Sequence, residues 1–235
     1  METGNSRNAL KAGLLVVVAL LLPPGAVAAP KCSASAAPGV DWAECDKKLL
    51  ILSGSNFNGA NLFGTDFTST DLRKTNLLAA NLEKATLVRA WLANSNADGA
   101  NFNRIEAYRT NFSGITAKDA TFTGAEIQRS NFTNAVLINV DFTKAELGRA
   151  DFTGADITGT RFSLANLARA DFSGARFTGS LDFSNAFFYL TRIEGLDLSK
   201  ARGLEQWQID MSCGDAGTTL PKGMETPADW PCAFD

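Results

Sequence analysis

The chain has 235 residues, is 45% hydrophobic and carries a formal net charge of -3. That is enough chain for one ordinary domain, and the charge is too mild to advertise nucleic-acid binding or mimicry of DNA. The absence of histidine removes the commonest general base and the commonest metal ligand.

Residues 1–28 read as a secretory signal peptide. Arg7 and Lys11 form a basic start, residues 12–22 an apolar run, and Pro23, Pro24 and Gly25 end it. Ala26-Val27-Ala28 then offers a small-residue cleavage site. The run is about half the ~20 residues that a spanning helix needs, so no membrane span is expected after cleavage. Removal of Glu2, Arg7 and Lys11 leaves a net charge of -4. The implied compartment is the periplasm or the exterior.

Residues 29–49 read as an N-terminal cap and residues 201–235 as a C-terminal one. Cys32 and Cys45 lie in the first, Cys213 and Cys232 in the second, and none between. Four cysteines allow three pairings, of which pairing within each terminal segment is the simplest. The 13- and 19-residue spacings match no zinc motif, so disulfides are expected. Trp42 is expected to close the N-terminal end, and Leu204, Trp207 and Ile209 on a short helix the other. Such caps cover edges that otherwise invite end-to-end association. A monomer is the simplest state, with an end-to-end dimer as the alternative.

Residues 50–200 carry a strict period of five. An apolar residue falls at Leu52, Phe57, Leu62, Phe67 and onward to Phe177; one extra residue shifts the phase, and Phe183, Phe188, Ile193 and Leu198 continue it. Of these 30 central positions 27 are Leu, Ile or Phe, and two residues earlier 24 of 30 are Ala, Ser or Thr. A helix repeats every 3.6 residues and a flat strand every two, so neither explains the pattern. A large and a small inward residue every five positions imply one corner per repeat. A second period fixes the coil. Phe112, Phe132, Phe152 and Phe172 form one row and Phe102, Phe122, Phe142 and Phe162 another, each at 20-residue spacing. Four repeats therefore make one square coil. About 7.5 coils at ~4.8 Å give a rod on the order of 36 Å long.

Segments such as Ala150-Asp151-Phe152-Thr153-Gly154 resemble the pentapeptide-repeat family pattern A(D/N)LxX. That resemblance implies an all-β, right-handed quadrilateral parallel β-helix. Pro38-Gly39-Val40-Asp41-Trp42 with Cys45, and Cys213-Gly214-Asp215 running to Gly223, resemble the flanks of exported members. The family implies no single function.

Two irregularities interrupt the repeat. Ala97, Ala107 and Ala117 stand at large positions while Ile105 and Ile115 stand at small ones, a swap that roughly conserves core volume at two of three sites. The extra residue before Phe183 reads as a local bulge or kink.

Arg89, Arg109, Arg129, Arg149 and Arg169 share one 20-residue phase. Guanidinium groups ~4.8 Å apart repel by ~0.9 kcal/mol in water before salt screening. Glu106, Glu126 and Glu146 lie three residues before their arginines and read as charge balance. The alternative is a surface for a polyanion such as an envelope glycan.

No catalytic residue, cofactor site or metal site is assigned, because the outward Asp, Asn, Ser and Thr are dictated by the repeat. The sequence reads as a non-enzymatic structural or interaction protein of the cell envelope, offering a rigid rod to a protein or anionic glycan partner. The alternative is a DNA-mimicking, gyrase-binding member of the family, which the export signal and mild charge disfavour.

Overall fold

The computed structural model describes residues 1–2 and 31–233. The secretory-signal reading falls on residues 1–28 and so lies almost wholly outside the described residues.

Each repeat folds as one turn and one bridging residue. In the repeat around Phe57, the Ala60 N–H donates to the Phe57 carbonyl at 2.9 Å across a four-residue turn. Gly59 takes a positive φ of 62°, the signature of a type II turn. The same position is also filled by residues with a Cβ, among them Arg129 at 58° and Lys144 at 60°. This left-handed conformation costs such residues roughly 1–2 kcal/mol each. The next coil holds them there: the Arg129 N–H donates to the Gly148 carbonyl at 2.9 Å.

In many repeats one turn N–H goes to the Asn or Asp side chain two residues before it. The Thr133 N–H donates to Asn131 Oδ1 at 2.8 Å, and the Thr153 N–H to Asp151 Oδ1 at 2.9 Å. This short-range side-chain turn is the physical reason for Asp or Asn before the central residue.

Successive coils are joined by parallel bridges between residues 20 apart, as in Asn61 to Asn81 to Asn101. Each side contributes a single bridging residue rather than an extended strand. With four turns per coil, the result is a quadrilateral parallel β-helix. The bridges begin at Asp41 and Asp46, which pair with Asn61 and Asp66. The helical register thus starts inside the segment read as an N-terminal cap.

The extra residue breaks one wall. Bridge spacing rises to 21 where the coils cross the insertion, at Arg161–Asp182, Asn166–Phe187 and Asp171–Arg192. The column through Asp156 and Arg176 stops, and none of the described bridges joins Arg176 to Asp197. A cleft of about 350 Å³ opens there, with Phe177, Gly179, Leu196 and Lys200 among its lining residues. Phe177 is consequently only half-buried.

Inside, the central rings stack coil upon coil. Phe112, Phe132, Phe152 and Phe172 lie nearly parallel at centroid distances of 4.7, 5.1 and 4.8 Å. Phe102, Phe122, Phe142, Phe162 and Phe183 form the second stack, whose edges meet the first in T-shaped contacts. At small positions a buried hydroxyl donates to a carbonyl of the preceding coil, as Thr110 does to Leu87 at 2.6 Å. Ile105 and Ile115 are fully buried with Ala107 and Ala117, as the swap of large and small requires.

Disulfides join Cys32 to Cys45 and Cys213 to Cys232. Trp42 is buried, edge-on to Phe57 at 5.3 Å. Lys47 lies over its ring at 3.7 Å and donates to the Cys32 carbonyl at 2.6 Å. Burial pushes the Lys47 ammonium down from its ordinary range.

At the far end one helix, α1, spans Gln206–Asp210. Leu204 and Ile209 are buried, but Trp207 is 42% exposed. The expectation that Trp207 closes this end is therefore corrected: the neighbouring Gln208 occupies the interior. Its side-chain amide donates to the carbonyls of Phe183 and Ala186 at 3.0 and 2.8 Å. Trp230 instead covers Gly214, where its ring leaves no room for a Cβ, and donates to the Ser212 carbonyl at 2.8 Å.

The side-chain turns also set acid sensitivity. Burial pushes the Asp141 and Asp182 carboxyls up. The hydroxyl and amide of Thr143 and of Ser184 outweigh that and hold both below their ordinary range, helped by Arg161 at Asp141 and by the Ser163 hydroxyl at Asp182. A carboxyl depressed by folding adds stability above its unfolded pKa, and that stability is lost as pH falls through the folded value. The melting temperature should therefore hold from pH 7 to about 5 and fall below about pH 4. Equal melting at pH 7 and at about pH 3 would contradict this.

Candidate functional site

The five arginines stand at one corner of the coil. Arg89, Arg109, Arg129, Arg149 and Arg169 all occupy the positive-φ turn position, at 56° to 60°. The hydrogen-bond register stacks them coil over coil: the N–H groups of Arg109, Arg129 and Arg149 donate to Gln128, Gly148 and Ala168. All five side chains are exposed. The periodicity thus becomes an edge of guanidinium groups along the rod.

Glu106, Glu126 and Glu146 stand on the flat side leading into that corner. They bridge one another directly, Glu106 to Glu126 and Glu126 to Glu146. Among the described residues no ion pair joins them to the arginines. Glu146 instead accepts from the Asn166 side chain at 2.8 Å.

Arginines elsewhere on the rod do find carboxylates. Arg73 meets Asp71 at 2.6 Å, Arg161 meets Asp141 at 2.9 Å, and Arg192 meets Asp171 at 2.9 Å. Arg104, at the same positive-φ turn position as the ladder residues, also meets a carboxylate, Glu83 at 3.3 Å, so the turn position alone does not leave the ladder unpaired.

Aromatic side chains flank the edge. The Arg109 guanidinium lies 5.2 Å from the Tyr108 ring centre, and that of Arg169 lies 6.0 Å from Tyr189. Phe187 and Tyr189 are near-parallel at 6.3 Å and 44% and 46% exposed. These aromatics were not singled out in the sequence. The signal was present: Tyr108 and Tyr189 directly precede the ladder phase, with the inserted residue accounting for the offset at 189. Cys32, Cys45, Cys213 and Cys232 are all consumed in disulfides at the ends and do not meet the edge.

A second exposed apolar group lies near the N-terminal end. Leu49, Leu50, Ile51 and Trp91 border a depression around the Arg73–Asp71 pair. Among the described residues, no helix is long and apolar enough to cross a membrane.

No curated protein matches the chain. Solved structures do. HetL, a pentapeptide repeat protein involved in heterocyst differentiation regulation from the cyanobacterium Nostoc sp. strain PCC 7120, is 21% identical over 79% of this chain and 88% of its own, with a TM-score of 0.37. Full-length QnrB1, a plasmid-mediated fluoroquinolone resistance protein, is 16% identical over 75% of this chain and 94% of its own, with a TM-score of 0.32. A pentapeptide repeat protein of the Arabidopsis thaliana thylakoid lumen is 26% identical over 44% of this chain and 66% of its own, with a TM-score of 0.24. The model of pentapeptide repeats in eight copies matches residues 51–77 and 75–114, and that of the pentapeptide repeat region matches residues 125–202. With five-residue repeats, stacked central rings and these family-model matches along most of the repeat array, the chain belongs to the pentapeptide-repeat family.

Proposed function

We propose that the protein is a non-enzymatic interaction rod of the cell envelope, and that its arginine edge docks an anionic envelope glycan. The observation that carries this reading is five exposed guanidinium groups in line, with no carboxylate paired to them among the described residues. Like charges held at strand spacing repel, and elsewhere on the same rod Arg73, Arg104, Arg161 and Arg192 are paired. An unneutralised row is a standing cost that a bound polyanion removes. The rod supplies rigidity, so the charges are presented at fixed spacing and little order is lost on binding.

The triple variant Arg109→Ala, Arg129→Ala and Arg149→Ala tests it. The parent should bind polygalacturonate at low salt, with affinity falling steeply as salt rises, since exposed charges are screened beyond ~10 Å at 0.1 M. The variant should lose binding and melt within about 1 kcal/mol of the parent, because the removed groups make no pairs. No binding by the parent, or a large loss of stability at low salt in the variant, would return the ladder to charge balance.

The envelope assignment rests on the apolar start of the chain and on two disulfides that close the ends. Exported protein should end its processing near Ala28 and show no alkylatable thiol before reduction. An uncleaved chain or four reactive thiols, read by mass, would contradict export. The DNA-mimic alternative needs a strongly acidic surface, which a net charge of -3 does not provide.

A further inference from the structure

We infer that the arginine edge contains a subsite for a sugar acid, on a shelf made by Gly148 and Ala168 and closed by Phe187 and Tyr189. This deepens the polyanion reading above and rests on it.

The shelf follows from the register. The turn residues just before the arginines stack as Gln128, Gly148, Ala168 and Tyr189, since the N–H groups of Arg109, Arg129, Arg149 and Arg169 donate to their carbonyls in that order. Between Gln128 and Tyr189 two coils in succession offer only a hydrogen and a methyl. That leaves a bare strip on the order of 10 Å long, twice the strand spacing. Arginines border one side of it. Glu146 and Asn166 border the other, continuing by a bridge into Phe187.

The end wall decides the ligand class. Two near-parallel rings stand exposed at 6.3 Å, with the Arg169 guanidinium beside one of them. Large exposed aromatic faces next to a cation suit a partner that is apolar on one face and anionic at one edge. A pyranose ring bearing a carboxylate is such a partner. Its C–H face covers a ring, and its carboxylate takes the planar fork of an arginine. The opposite border selects further. Glu146 is an acceptor, so it receives a hydroxyl hydrogen and repels a second anion. A chain charged on every unit and on both sides, such as polyphosphate, meets that carboxylate. A polymer of uronic acids presents hydroxyls there instead.

Two outward substitutions test the subsite without touching the core. Tyr189→Ala removes the platform. Gly148→Gln fills the shelf: Gly148 is not in the positive-φ region, and a Cβ there would meet only the Ala168 carbonyl at 3.7 Å and Gln128 Cγ at 3.9 Å. Both variants should melt like the parent. The full chain is titrated with polygalacturonate, with inorganic polyphosphate and with neutral dextran. We expect polygalacturonate to bind best, and each substitution to weaken it by about tenfold while leaving any weak polyphosphate binding unchanged. If both anions bind alike and neither substitution matters, the sugar subsite is overturned and the edge remains a general polyanion surface. If neither anion binds, the subsite and the polyanion reading fall together.

Discussion

Phe132→Asp is expected to abolish the cooperative melting of the rod, while Thr133→Asp, one residue away, leaves it within about 0.5 kcal/mol of the parent. Phe132 is fully buried, stacked on Phe112 at 4.7 Å and Phe152 at 5.1 Å, and edge-on to Phe122 and Phe142 at 6.1 and 5.8 Å. Losing a buried Phe side chain costs ~3–5 kcal/mol. The carboxylate adds several kcal/mol more, because no cation or donor lies within the ring stack to compensate its lost hydration. The sum rivals the ~5–15 kcal/mol that typically holds a domain together. In a solenoid each coil contacts only its neighbours, so damage at one coil uncouples those on either side. Thr133 sits in the turn, partly exposed, with its N–H on Asn131. Thermal melting followed by circular dichroism compares the two. Equal melting temperatures would mean that the five-residue register has been misassigned.

At the C-terminal end the decisive residue is Gln208, not the adjacent tryptophan. Gln208→Leu is expected to cost roughly 2 kcal/mol or more, counting ~1–3 kcal/mol for a buried group left without a partner. Two groups are left without a partner. The Ala186 carbonyl loses its donor, and the Glu205 N–H loses the Gln208 side-chain oxygen it reaches at 2.7 Å, while the Phe183 carbonyl keeps the Ala186 N–H at 3.0 Å. Leucine fills similar space and is a good helix former, so the loss would be of hydrogen bonds rather than of packing or propensity. Trp207→Ala should cost less, because its ring is 42% exposed and its indole N–H only meets Glu205 at the surface. Denaturant unfolding of the two variants measures the order. A larger loss for Trp207→Ala would restore the tryptophan as the end closure.

The sequence alone determined the coil. Identical residue types at 20-residue spacing, as in Phe112, Phe132, Phe152 and Phe172, have a direct physical meaning: like rings stack on like rings where parallel coils repeat. The cysteines outside the array pair within each end, the simplest of the three possible pairings. Leu204 and Ile209 are buried as their apolarity predicts. The tertiary structure decided what periodicity does not encode, the direction of each side chain. Glu126 and Arg129 are three residues apart, yet one stands on a flat side and the other at a positive-φ corner, so proximity along the chain did not become an ion pair. Trp207 and Gln208 share a helix too short to show a hydrophobic period. The carbonyls of Phe183 and Ala186, the latter with no backbone donor, rather than apolarity, selected which of them turns inward. The broken wall at Arg176 has the same origin. A single added residue is visible in the sequence as a phase shift, but where the backbone parts depends on which column loses its bridge, and that is settled only when the coils are stacked.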